Sequence, residues 1–113
     1  MIVAIVKDLF FISKIKETAQ QLNKNILFIK DYNELNDLFD NNNIDLIIVD
    51  LNFSEIKPLE TIQKIKNTKT LMNKKIIAYC SHVQTELMNN ARELGAEVMP
   101  RSLFTKKLQD ILS

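Results

Sequence analysis

The stretch Ile44-Asp45-Leu46-Ile47-Ile48-Val49-Asp50-Leu51 decides how the rest of the chain is read. Four aliphatic residues, Leu46 to Val49, follow one another without polar alternation. A strand that is apolar on both faces belongs in the middle of a parallel sheet, with helices above and below it. Upstream, residues 2–6 form a short apolar run that ends in Lys7-Asp8, and residues 25–29 form a second. Between them Ile12, Ile15, Ala19 and Leu22 are spaced three, four and three apart, one face of a helix. Asp31 and Glu34 make a D-x-x-E start signal ahead of Leu35, Leu38 and Phe39, and Asn41-Asn42-Asn43 is expected to stop that helix.

Downstream, Pro58 suits the first turn of a helix whose stripe is Leu59, Ile62 and Ile65. Residues 75–79 read as a fourth strand. Ser81 and Gln84 form an S-x-x-Q capping box for a helix carrying Val83, Leu87, Ala91 and Leu94, and Gly95 suits the left-handed position that ends it. Residues 98–99 are a short fifth strand, and Phe104, Leu108, Ile111 and Leu112 make a closing amphipathic helix. Five strands alternating with five helices predict one α/β domain over residues 1–113, a doubly wound parallel sheet with right-handed crossovers.

Composition removes several functions. The chain has 113 residues, 46% of them hydrophobic, enough for a core without disulfide staples. Its one cysteine, Cys80, and one histidine, His82, leave no Cys/His metal cluster. The single glycine, Gly95, rules out P-loop and dinucleotide-fingerprint sites and leaves a flavodoxin-like small-ligand enzyme as the least supported reading. No apolar stretch approaches the roughly 20 residues that span a bilayer, and residues 1–6 are too short for a signal peptide. A soluble, cytoplasmic protein is expected. Net charge is +1, with both signs interleaved. The one basic stripe, Lys64, Lys66, Lys69, Lys74 and Lys75, lacks interleaved aromatics, which argues against nucleic-acid binding.

In such folds ligands bind beyond the carboxyl ends of the strands, where strand order reverses. The residues there are Lys7 and Asp8, Lys30 and Asp31, Asp50 and Asn52, Cys80 and Ser81, and residues 100–102. Asp8 and Asp50 would be neighbours in a sheet ordered 2-1-3-4-5.

Here the chain resembles a known family. Residues 44–51 are similar to the third strand of CheY-like receiver domains of two-component response regulators, which ends in the phosphate-accepting aspartate. Ile2-Val3-Ala4-Ile5-Val6-Lys7-Asp8 is similar to their first strand, which ends in an acidic pair. Lys75-Ile76-Ile77-Ala78-Tyr79-Cys80-Ser81-His82 resembles their fourth strand and its loop. Leu94-Gly95-Ala96-Glu97-Val98-Met99 resembles their turn into the fifth. The resemblance implies a flavodoxin-like (βα)5 fold with order 2-1-3-4-5. It also implies Asp50 as phosphoacceptor, and Mg²⁺ held by Asp8, Asp50 and the backbone carbonyl of Asn52.

Three positions depart from the family. Lys7 replaces the first acid of the pair, and its ammonium would either face solvent or reach toward Asp50. Cys80 stands at the hydroxyl position, and its thiol is a weaker donor; Ser81, one residue on, would substitute only after a loop shift. The family's Lys-Pro is absent, so Arg101 or Ser102 takes the Lys place, and of these only Arg101 would hold a phosphoryl group. Plainer roles stand beside these. Asp8 would cap the first helix, Ser81 and Ser102 would cap later ones, and Cys80, Phe10, Phe11 and the methionines would pack.

Two functions follow. One is a degenerate receiver, not an enzyme, acting through protein–protein contact with a signalling partner or histidine kinase, or as a homodimer. Its contact face would be the fourth helix, fifth strand and fifth helix, near Met88, Arg92, Met99 and Lys106. The other is a working single-domain response regulator phosphorylated on Asp50 with Mg²⁺. The three departures favour the first.

Overall fold

The apolar run at residues 46–49 does become the middle of the sheet. The protein is described from a computed structural model, which covers residues 1–40 and 43–113. Strand β3 (Leu46–Asp50) pairs in parallel with β1 (Ile2–Ile5) on one side and β4 (Lys75–Cys80) on the other. Beyond these lie β2 (Ile26–Ile29) and β5 (Glu97–Pro100), giving the parallel order β2-β1-β3-β4-β5. The expected fold and strand order are both present.

Every residue of β3 is buried, because helices cover both faces. Side chains alternate along a strand, so β3 divides between two cores. Ile47 and Val49 join Ile62, Ile65, Met88 and Ala91 of α3 (Pro58–Lys66) and α4 (Thr85–Glu93). The short α2 (Leu35–Phe39) adds Leu35 and Leu38 on that side. Leu46 and Ile48 join Phe11, Ile15 and Ala19 of α1 (Leu9–Gln21) on the opposite face. There too lie Phe104 of α5 (Arg101–Lys106) and Leu108 and Leu112 of α6 (Leu108–Leu112). Each fully buried aliphatic side chain contributes about 1.5–3 kcal/mol.

Helix ends follow their local chemistry. Asp31 accepts from the Glu34 N–H at 2.9 Å, while the Glu34 carboxylate accepts from the Lys30 N–H at 2.8 Å. This start signal opens a 3₁₀ turn, Tyr32–Glu34, that runs into α2. Two helices end in the same double-bond motif. After α1, Lys24 N–H reaches Ala19 C=O at 2.8 Å and Asn23 N–H reaches Gln20 C=O at 3.2 Å. After α4, Ala96 and Gly95 repeat this with Ala91 and Arg92 at 3.2 and 2.9 Å. The left-handed residue is Asn23 (φ 55°) in one and Gly95 (φ 104°) in the other.

Five local expectations change. The buried stripe of α1 is Phe11-Ile15-Ala19, all four apart, and Ile12 is only half-buried. The Ser81/Gln84 pair forms a turn ahead of α4 and not its cap: Gln84 Oε1 accepts from Ser81 N–H at 3.1 Å, and the helix begins at Thr85. Val83 is therefore exposed and not on the apolar stripe. Met88 and Met99 are buried core residues and not part of an outer contact face, because each points inward with its strand or helix stripe. The closing helix is two segments that meet at Lys107, yet hydrogen bonds from Lys107 N–H to Leu103 and from Ile111 N–H to Lys107 carry the stripe across. Of the asparagine run, Asn41 and Asn42 lie outside the described residues.

A Cβ at Gly95 would sit 2.9 Å from Lys66 Cε and would also occupy a positive-φ backbone. Gly95→Ala is expected to cost about 1–2 kcal/mol, read as a lower urea midpoint with an unchanged slope.

Candidate functional site

Asp50 ends β3 where the central strand meets the loop layer, and it is only 6% exposed. Its Oδ1 accepts from the Asn52 N–H at 2.9 Å, and the loop behind it is held by Phe53 N–H on the Asp50 carbonyl at 3.0 Å. The alternation that sends Leu46 and Ile48 toward α1 and α5 puts Asp50 on that side as well. Asp8, just after β1, lies near enough for its charge to bear on Asp50.

Arg101 is the first residue of α5, and its Nη2 donates to Asn52 Oδ1 at 3.0 Å across 49 positions of sequence. The guanidinium also lies over the Phe11 ring, 6.0 Å from its centroid. Of the two residues competing for the family's Lys position, Arg101 is the one that reaches this cluster; Ser102 is exposed beside it. Burial raises the Asp50 carboxyl above the ordinary carboxylate range, and the Asp8 charge adds to that. The Asn52 N–H and the Arg101 guanidinium pull the other way.

The other sequence-derived residues are placed less centrally. Asp8 is the N-cap of α1: its Oδ1 accepts from Phe10 N–H at 2.8 Å and Phe11 N–H at 3.2 Å. Lys7 does not turn to Asp50; it forms an ion pair with Glu55 and stands 6.0 Å from the Phe53 ring. Cys80 shares the parity of Ile76 and Ala78, so its thiol is buried in the core on the α3 and α4 side, where the Arg101 charge still bears on it. Burial pushes that thiol up from its ordinary value. Ser81 Oγ is 3.5 Å from Val83 N, too long to count as a strong bond. The Asn52 carbonyl accepts from Ser54 N–H at 3.0 Å.

One residue escaped the sequence reading. Tyr79 pairs with Asp50 across the β3–β4 ladder, and its ring stacks between Phe11 (5.0 Å) and Phe104 (4.5 Å). Its buried hydroxyl has no hydrogen-bond partner among the described residues. Burial, then the Asp50 charge, push the phenol up, so it stays neutral. The four-residue spacing Phe11-Ile15-Ala19 was the available signal for Phe11; the place of Tyr79 opposite Asp50 needed the register.

Residues 3–108 match the family model described as the response regulator receiver domain. No curated protein matches the chain at the sequence level. Solved structures with the same fold include the phosphorylated cyanobacterial phytochrome response regulator RcpA (TM-score 0.80, 18% identity, 98% of this chain and 86% of that one). A response regulator from Hahella chejuensis superposes with TM-score 0.84 at 15% identity, over 98% of this chain and 90% of that one. The chemotaxis response regulator CheY4 of Vibrio cholerae gives 0.83 at 15% identity, over 98% and 93%. At these identities the likeness is one of fold.

The raised Asp50 carboxyl has a defined effect on stability. Folding favours its protonated form, so that contribution is full below the unfolded value near 3.8 and is lost as pH rises through the folded value. Asp50→Asn is therefore expected to be more stable than the parent at pH 7. The gap should close below pH 3.8, as urea midpoints compared at the two pH values would show.

Proposed function

The chain belongs to the response regulator receiver domain family of two-component signalling, and from that premise we propose that it is a degenerate receiver. It acts as one domain over residues 1–113, and it signals by protein contact instead of by accepting phosphate on Asp50. The observation that carries this reading is the Arg101–Asn52 bridge beside Asp50. It engages the cation at the family's lysine place with a side chain of the loop after Asp50.

Receiver domains commonly bind Mg²⁺ at the phosphorylation site. Mg²⁺ takes near-octahedral oxygen ligands, usually with one or two carboxylates. Here the acid pair is reduced to Asp8, whose Oδ1 already accepts two helix N–H bonds. The Asn52 carbonyl already accepts one bond, and its side chain is already engaged by Arg101. With Lys7 in place of the first acid, the ligand set left for Mg²⁺ is reduced to Asp8, Asp50 and the Asn52 carbonyl. The hydroxyl position adds to this, since buried Cys80 offers only a thiol, a weak donor to a phosphoryl oxygen.

The competing reading is a working regulator phosphorylated on Asp50 with Mg²⁺ on Asp8, Asp50 and Asn52. It draws on the retention of two carboxylates at the switch point of the sheet. Mg²⁺ and then beryllofluoride, added to labelled protein, are expected to leave the amide signals of Asp8, Asp50 and Asn52 in place. A small phosphodonor should give no acid-labile label. The double variant Lys7→Asp/Arg101→Met is expected to gain Mg²⁺-dependent shifts. Labelling of the parent that Asp50→Asn abolishes would sink the degenerate reading in favour of the working regulator.

The partner is a signalling protein, a histidine kinase included, or a second copy of the chain, and neither a membrane nor nucleic acid. Among the described residues no helix is long and apolar enough to cross a membrane. The family's usual setting places this role in the cytoplasm. The contact face is α4, β5 and α5, where Arg92 and Lys106 are exposed. Charge reversal of both is expected to lower assembly or partner capture at least severalfold in pull-down and sedimentation experiments. Unchanged assembly and capture would remove this face.

A further inference from the structure

One end of the sheet carries a cleft of about 650 Å³ that adjoins the Asp50 cluster through Arg101. That size is within the range of small-molecule sites. Three segments meet there: Phe10 and Phe11 at the start of α1, Ser81 and His82 after β4, and Arg101 and Ser102 at the start of α5. Phe10 is 64% exposed although its neighbour Phe11 is core. The two rings meet edge-on, 5.6 Å apart at 89°. Pro100 completes the apolar part of the lining.

The polar side of the cleft has one sign. Among the described residues no acidic side chain lines it; its permanent charge is the Arg101 guanidinium, flanked by His82 and the hydroxyls of Ser81 and Ser102. One Arg101 amino group is engaged with Asn52 Oδ1, and a guanidinium has five N–H donors in a planar fork that suits a carboxylate.

We propose that this cleft binds a small aromatic carboxylate, with the ring against Phe10 and the carboxylate on Arg101. The same guanidinium holds Asn52 of the Asp50 loop, so a carboxylate on its free donors shares Arg101 with Asn52. Occupancy of the cleft thereby reaches the loop after β3 with no phosphate involved. This is a site beyond the degenerate-receiver reading, and its test uses neither metal nor phosphodonor, so either idea fails separately.

The experiment is an amide NMR titration of the full chain with 3-phenylpropionate. Its isosteric neutral amide, acetate and phenyl phosphate serve as the other arms. Saturable shifts are expected at Phe10, Phe11, Ser81, His82 and Arg101, and through Arg101 at Asn52, with a roughly millimolar Kd. The neutral amide should bind about tenfold more weakly, and Arg101→Met should impose a similar loss on 3-phenylpropionate. Acetate should give no saturation, and Phe10→Ala, an exposed change that leaves the core intact, should weaken binding about threefold or more. The proposal is overturned by non-saturating shifts, by shifts centred elsewhere, or by equal binding of the amide. It is equally overturned if either variant binds like the parent, or if phenyl phosphate binds tenfold tighter than the carboxylate.

Discussion

The structure depends on the burial of β3 on both of its faces. A strand with no solvent-facing side must satisfy its backbone through neighbours on both edges, which β1 and β4 provide. It must also lie beneath helices on both faces, which the two cores provide. Because parallel neighbours need crossover connections, the helices are forced onto those faces by the same requirement. The strand leaves this environment at its ends, and a charged residue at its carboxyl end is both largely out of water and at the mouth of the fold.

Asp50 is that residue, and its surroundings are a balance of opposed terms. Burial disfavours its charge, as does Asp8, while the Asn52 N–H and the Arg101 guanidinium favour it. A buried carboxylate needs compensation from something. In this chain part of it comes from a side chain, reached across 49 positions and held by a hydrogen bond to the same loop. The diversion of Lys7 to Glu55 keeps a second cation out of that balance. Beneath the charges, Phe11, Tyr79 and Phe104 form a rigid aromatic base, so the groups above it rest on packed core and not on mobile loops.

Much of the fold was legible because period and punctuation are local properties. The unbroken run at residues 46–49, the Asp31/Glu34 start signal and Gly95 at a helix end each report on a few neighbouring residues, and each is realised in the structure. The errors have a common cause. Ile12 and Phe11 satisfy nearly the same spacing with Ile15 and Ala19, and only the sheet beneath decides between them. Ser81 and Gln84 carry the right residues for a cap, but the loop from β4 spends them on a turn before the helix begins. Met88 and Met99 follow stripes whose inward direction depends on where the sheet lies.

By itself the sequence determined the alternation of strands and helices, the central place of β3 and the carboxylates Asp8 and Asp50 at strand ends, because these follow from hydrophobic period and short-range chemistry. Only the tertiary structure decided which of those end residues share a site. Side-chain parity and register turn Asp50 and Tyr79 toward α1 and α5 while turning Cys80 to the opposite core. The packing of α5 brings Arg101 to Asn52, and a loop brings Glu55 to Lys7. Such meetings are set by distances between chain segments far apart in sequence, which local pattern does not encode.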